Sequence, residues 1–105
     1  MEIFRVSKSF PREERYSLTD QIRRCSRSVA ANIAEGYRKR RYPNHFISKL
    51  TDCDAEATET QVWIDFAHDC EYLATEDWER LTSRYEELGR VLAGMMANPD
   101  KFALG

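Results

Sequence analysis

The sequence predicts an all-α protein, an antiparallel up-down four-helix bundle with a shortened first helix. Three observations predict it. Gly and Pro are scarce, at 4 and 3 of 105 residues, which favours long uninterrupted helices over turn-rich sheet. Apolar residues recur at alternating spacings of three and four, the period of one helix face. The breaks between periodic stretches are short, and short connections make neighbouring long helices antiparallel. A length of 105 residues is that of one domain, residues 1–105, with a single modest core.

The first helix is a stub from about Glu2 to Lys8, holding Ile3, Phe4 and Val6. It stops before Phe10-Pro11, because proline disfavours helix in the residue ahead of it. The second opens near Pro11 as a single turn and is continuous from Ser17. Ser17 and Asp20 have capping-box spacing, with Asp in place of Glu. Leu18, Ile22, Cys25 and Val29 follow at spacings of four, three and four. That seam continues through Asn32 to Gly36, with Ile33 beside it, and Gly36 is the expected C-terminal stop.

The third helix starts at Pro43, a favoured first helical residue, and runs to about Leu73. Phe46, Leu50, Cys53, Ala57, Thr60, Ile64 and Ala67 form one stripe; Glu56, Glu59, Trp63, Phe66, Cys70 and Leu73 form a second. Two stripes imply two packing partners for a helix roughly 45 Å long. Thr75 is the expected N-cap of the fourth helix, with Glu76 and Asp77 where negative charge suits the helix dipole. Trp78, Leu81, Tyr85, Leu88, Leu92 and Met95 alternate three and four until Asn98-Pro99 ends the helix. The tail DKFALG is expected to fray. A short first helix cannot cover three long ones, so an apolar groove should stay open, and such surface drives association.

Composition excludes several classes. No apolar run approaches the ~20 residues of a membrane span, and the N-terminus lacks the apolar core of a signal peptide; the expectation is a cytoplasmic protein. Three cysteines, Cys25, Cys53 and Cys70, form no C-x-x-C pair, so they read as small buried thiols. Asp65 and His68 form a D-x-x-H, but a di-iron bundle needs a second facing E-x-x-H, and the fourth helix has no histidine. No metal, cofactor or small-molecule substrate is expected, and no catalytic spacing or Gly-rich phosphate loop occurs.

Charge is unevenly divided. Residues 1–50 hold 12 Lys+Arg against 5 Asp+Glu, a net of +7; residues 51–105 hold 4 against 13, a net of −9. Either a basic face awaits nucleic acid, or a basic helix packs beside an acidic one and their rims pair. Arg27 and the run Arg38, Lys39, Arg40 and Arg41 are the candidate phosphate contacts, since clustered guanidinium groups grip phosphate oxygens. Tyr37 and Tyr42 flank the run as stacking candidates. The competing reading is a solvated helix end whose cations offset the dipole, with Arg23 and Arg24 paired to acids on the third helix. Asn32 sits on the apolar seam, where a lone polar side chain specifies register or oligomeric state. Glu35 is poorly placed for the dipole, so both it and Asn32 are expected to bond to backbone or to Arg or Gln side chains across a helix contact and to specify assembly.

The stretch Phe10-Pro11, Glu14, Leu18, Gln21-Ile22-Arg23-Arg24-Cys25, Ser28-Val29 and Asn32-Ile33-Ala34-Glu35-Gly36 resembles the four-helix-bundle proteins encoded in intervening sequences of bacterial 23S rRNA genes. Phe46, Leu50 and Glu59 extend the match, which covers about Ile3 to Met96. The resemblance implies a left-handed antiparallel bundle that assembles into a ring-like homopentamer, with no enzymatic activity. It also implies kinship to an accessory protein of diversity-generating retroelements, a basic pentameric barrel that works with a reverse transcriptase and nucleic acid. Gln21 and Glu59 join Asn32 and Glu35 as polar residues of assembly. The chain departs from the family pattern in its short first helix and its acidic balance. The function expected is a non-enzymatic oligomeric bundle that contacts RNA or a ribonucleoprotein; the alternative is a protein–protein adaptor with no nucleic-acid role.

Overall fold

The computed structural model describes residues 2–101, and the chain runs through them as four α-helices. These are α1 (Glu2–Ser7), α2 (Leu18–Arg38), α3 (Pro43–Asp69) and α4 (Thr75–Ala97), with 3-10 turns at Arg12–Glu14 and Pro99–Lys101. Among the described residues there is no strand. The fold is the expected bundle with a short first helix. The long axis is 48 Å, against 24 and 17 Å across.

The helical stripes decide the packing. All seven residues of the first α3 stripe, from Phe46 to Ala67, are buried. The α2 seam is buried at Leu18, Ile22, Cys25, Val29 and Gly36. On α4 Leu81 and Leu92 are buried, and Trp78, Tyr85, Leu88 and Met95 are partly so. Two apolar clusters result. One joins Ile3, Val6 and Phe10 to Leu18, Ile22, Ile64, Ala67, Leu73 and Leu81. The other joins Val29 to Phe46, Leu50, Cys53, Ala57 and Leu92. In the interior the Thr60 hydroxyl donates to the Glu56 carbonyl at 2.8 Å, and its oxygen lies 3.1 Å from Cys25 Sγ.

α3 is the central helix: it packs along both α2 and α4, whereas α2 and α4 scarcely touch. The space between those two is the fourth position of the bundle, and α1 fills only one end of it. Ile3 and Val6 are buried there. Glu2 bridges Arg80 and Arg84 of α4. On the other side Arg23 Nε donates to Ser7 Oγ at 2.8 Å, and its guanidinium lies 4.5 Å from the Phe4 ring centroid. Arg24 donates to Gln21 Oε1 at 2.5 Å. Both arginines therefore serve α1 or their own helix, not the expected acids on α3.

The termini of the elements correct several expectations. α1 ends at Ser7 rather than Lys8. Ser17 makes no cap to α2; its hydroxyl donates to Glu14 Oε1 at 2.5 Å instead. Gly36 does not stop α2, which continues to Arg38. It is buried against α3 with no positive φ, and a Cβ there would lie 3.5 Å from Lys49 Cβ. α3 stops at Asp69 because Glu71 adopts φ 63°. The Tyr72 N–H then donates to the Ala67 carbonyl and the Glu71 N–H to that of His68, at 2.9 and 3.0 Å. That pair is a Schellman closure with glutamate where glycine is usual. It turns the chain so that Leu73 is buried outside the helix. Thr75 is the first residue of α4, not its cap. Of the tail, Asp100 and Lys101 lie in the final 3-10 turn, and residues 102–105 lie outside the described residues.

Candidate functional site

The connector between α2 and α3 forms a basic corner. Helix α2 ends at Arg38, and the chain reverses over residues 39–42 before Pro43 opens α3. Arg38 and Arg41 are exposed, Lys39 and Arg40 half-buried. Arg40 is held in place: its Nε donates to the Tyr37 carbonyl at 2.9 Å, and its guanidinium stacks 3.5 Å from the Tyr37 ring centroid. Among the described residues none of these four cations forms an ion pair within 4.0 Å. Tyr37 and Tyr42 stay 63% and 61% exposed, so aromatic faces flank uncompensated charge. Arg40 already covers one face of Tyr37, and Tyr42 leans on His45 at 5.9 Å between ring centroids.

Arg27 does not join this corner. Eleven residues along α2 place it about 16 Å away, 5.9 Å from the Phe4 ring centroid at the α1 end. Two lysines and a histidine frame a depression beside the corner, lined by Lys39, Asn44, His45, Ser48 and Lys49. Lys49 escaped the sequence reading: Glu35 lies near the end of α2 and Lys49 nearly two turns into α3, and only the packing of the two helices brings them together.

The polar residues of the seam behave differently from one another. Glu35 accepts from Lys49 Nζ at 2.8 Å, tying α2 to α3. Hydrogen bonding to Lys49 and its charge hold the Glu35 carboxyl below its ordinary range and push the lysine up. Asn32 corrects the expectation: it is half-buried and, among the described residues, makes no side-chain hydrogen bond across a helix contact. Gln21 accepts from Arg24 on its own helix, and Glu59 Oε1 accepts from Trp63 Nε1 at 3.4 Å.

Reactive groups elsewhere are occupied. Trp78 stacks on His68 at 4.3 Å and donates to Asp65 Oδ1 at 2.8 Å, so the D-x-x-H serves packing between α3 and α4. Among the described residues no group of three His, Cys, Asp or Glu side chains is placed to hold a metal ion. Cys25 and Cys53 are buried free thiols, and Cys70 is half-buried. Burial pushes the Cys53 thiol to about 11, which removes it as a nucleophile. No helix among the described residues is long and apolar enough to cross a membrane.

Beyond α1 the space between α2 and α4 is open. A cavity of about 380 Å³ begins at Ile3 and Phe4 and is lined by Arg27, Val29 and Tyr85. A second, of about 330 Å³, continues from Ile33 past Tyr37 and Arg40 to Leu88, Val91 and Met95. Ile33 lines both, and it and Val91 are 43% and 45% exposed. This is the groove that the short first helix predicts. It ends beside the basic corner. A separate apolar patch lies on α3, where Val62 and Phe66 are 55% and 46% exposed.

The comparisons with known proteins agree with this geometry. Residues 1–94 match the model of the family described as 23S rRNA-intervening sequence protein. A crystal structure of a protein of unknown function from the S23 ribosomal protein family of Bacteroides thetaiotaomicron superposes with a TM-score of 0.80. It is 27% identical, over 90% of this chain and 87% of that one. No curated protein matches. A family match over nearly the whole chain, on a bundle of the same shape, places the protein in the 23S rRNA-intervening sequence protein family.

Proposed function

We propose that the protein is a non-catalytic, cytoplasmic assembly protein that associates with copies of itself and holds RNA phosphates at its basic corner. The carrying observation is the corner itself. Arg38, Lys39, Arg40 and Arg41 have no ion-pair partner among the described residues, and two exposed tyrosines flank them. Unpaired cations attract phosphate by releasing its counterions, and an aromatic face accepts an unstacked base. One corner is a weak site; a ring of copies, which the family resemblance implies, would repeat it. Uncovered apolar surface on α3 at Val62 and Phe66 supports self-association.

The test is a gel shift with single-stranded RNA at rising salt. Wild type should shift RNA at low salt and lose it as salt rises, with a slope of about −0.7 per phosphate contact. Replacing Arg38, Lys39, Arg40 and Arg41 with glutamine should abolish the shift while helicity is kept. Absence of any shift at low salt supports the second reading, a protein–protein adaptor, which the open groove favours.

A further inference from the structure

We infer that the depression beside the corner seats the terminal phosphate of an RNA strand, so that the protein holds the strand by its end, a reading that rests on the RNA contact at the corner and sharpens it.

The donors come first. Lys39, Asn44, His45, Ser48 and Lys49 line a hollow of about 210 Å³ between the end of α2 and the opening turns of α3. That is below the ~300–1,000 Å³ of a drug-sized ligand's pocket, so the hollow takes a small group. Every lining side chain can donate a hydrogen bond, and none is acidic. Among the described residues the side chains of Lys39, Asn44, His45 and Ser48 make no hydrogen bond or ion pair. Ser48 differs in this from its own helix. The hydroxyls of Thr51, Thr58 and Thr60 donate to the carbonyls four residues back, at 2.9, 2.9 and 2.8 Å. A phosphomonoester matches these unspent donors, with about −1.5 to −2 charge at pH 7 and three strong acceptor oxygens.

The surrounding charges decide which phosphate of a strand fits. At the back of the hollow Lys49 Nζ lies 2.8 Å from Glu35 Oε2 and 3.9 Å from Asp52 Oδ2, and both carboxylates are about half exposed. A strand running on past Lys49 would set its next phosphate against them, and like charges repel. On the connector side lie Arg41 and Tyr42, both exposed. The Tyr42 ring leans on His45, at the edge of the hollow. A strand therefore leaves the hollow favourably only over the connector, and the phosphate left in the hollow is its last. The neighbouring base meets Tyr42, and further phosphates meet Arg41 and Arg38.

The test is a set of gel shifts with the full chain at low salt. It uses single-stranded RNA of one sequence, about 12 nucleotides long, ending in a 5′-phosphate, a 3′-phosphate or hydroxyls only. A phosphate-ended RNA should bind at least about tenfold tighter than the hydroxyl-ended one, the worth of one charge-assisted contact. The better of the two phosphate-ended strands names the end that is held. The double variant His45→Ala, His45 and Ser48 both being exposed, with Ser48→Ala should lose that advantage, keep its helicity and shift hydroxyl-ended RNA as wild type does. Ser48→Ala alone should lose part of it. Equal affinity for all three RNAs overturns the inference and leaves the corner as an RNA contact. So does an advantage that persists in the double variant, since added charge rather than the hollow then accounts for it. The absence of any shift overturns the corner reading, and this inference with it.

Discussion

Glu71 is the residue where local backbone preference and fold disagree. It is exposed and holds φ 63°, a left-handed conformation that a Cβ disfavours by roughly 1–2 kcal/mol. Glu71→Gly removes that conflict at some cost in unfolded-chain entropy. The net expectation is a gain of about 0.5–1 kcal/mol, read as a higher melting temperature with unchanged helicity; a lower one would show that the glutamate side chain matters to the turn. Glycine marks helix ends often enough that Gly36 reads as a stop, yet it lies inside α2. The signal failed because small size at a helix contact and freedom at a helix end ask for the same residue. Glu35 was more legible. A carboxylate near a helix C-terminus is unfavourable alone, and it does have a partner across the contact, though this is Lys49 and not the expected backbone, Arg or Gln group.

Among the elements, α1 is the least secure. Six residues do not make a stable helix in isolation. Its place depends on the burial of Ile3 and Val6 and on Glu2 between Arg80 and Arg84. Partial burial alone would raise the Glu2 carboxyl, but the Arg80 hydrogen bond with the charges of Arg80, Arg84 and Arg5 outweighs it and holds the group below its ordinary 4.5. A depressed carboxyl stabilises the folded form above the unfolded value and loses that contribution as pH falls through the folded one. Amide-exchange protection of Val6 and Ser7, the α1 amides with acceptors inside the helix, corrected for intrinsic rates, should thus be measurable at pH 6 and weaken below about pH 4.5. Glu2→Gln should show the weakened value at both; protection that ignores pH in wild type would mean that apolar burial alone seats α1. The long helices behaved as their patterns require. The first α3 stripe is buried throughout, because seven positions of one period outweigh any single propensity. The second stripe is less faithful: Glu56, Glu59, Trp63 and Cys70 are half-buried, Phe66 is exposed and only Leu73 is buried.

At the scale of the molecule, two kinds of apolar surface are left over, a concave channel and a convex patch. If copies associate through the patch, light scattering at micromolar concentration should report a mass above the 12.3 kDa monomer. Phe66→Glu should lower that mass and Ile33→Asp should not; a monomeric wild type would overturn the self-association reading. Fold class, helix order, core stripes and the open groove follow from the sequence, because periodicity and helix length are local properties that dictate which faces must be buried. The intervening-sequence family is legible for the same reason, since its residues mark the α2 seam. Tertiary structure alone decided that Arg27 lies over Phe4 of α1, that Arg23 and Arg24 serve α1 and α2, and that Arg40 covers Tyr37. Those outcomes depend on distances between elements and on rotamers, which one-dimensional spacing does not contain. The two cavities between α2 and α4 belong to both levels: the α2 and α4 stripes leave Ile33 and Val91 facing them, and the folded chain determines that Arg23, Arg27, Arg40 and Arg84 border them.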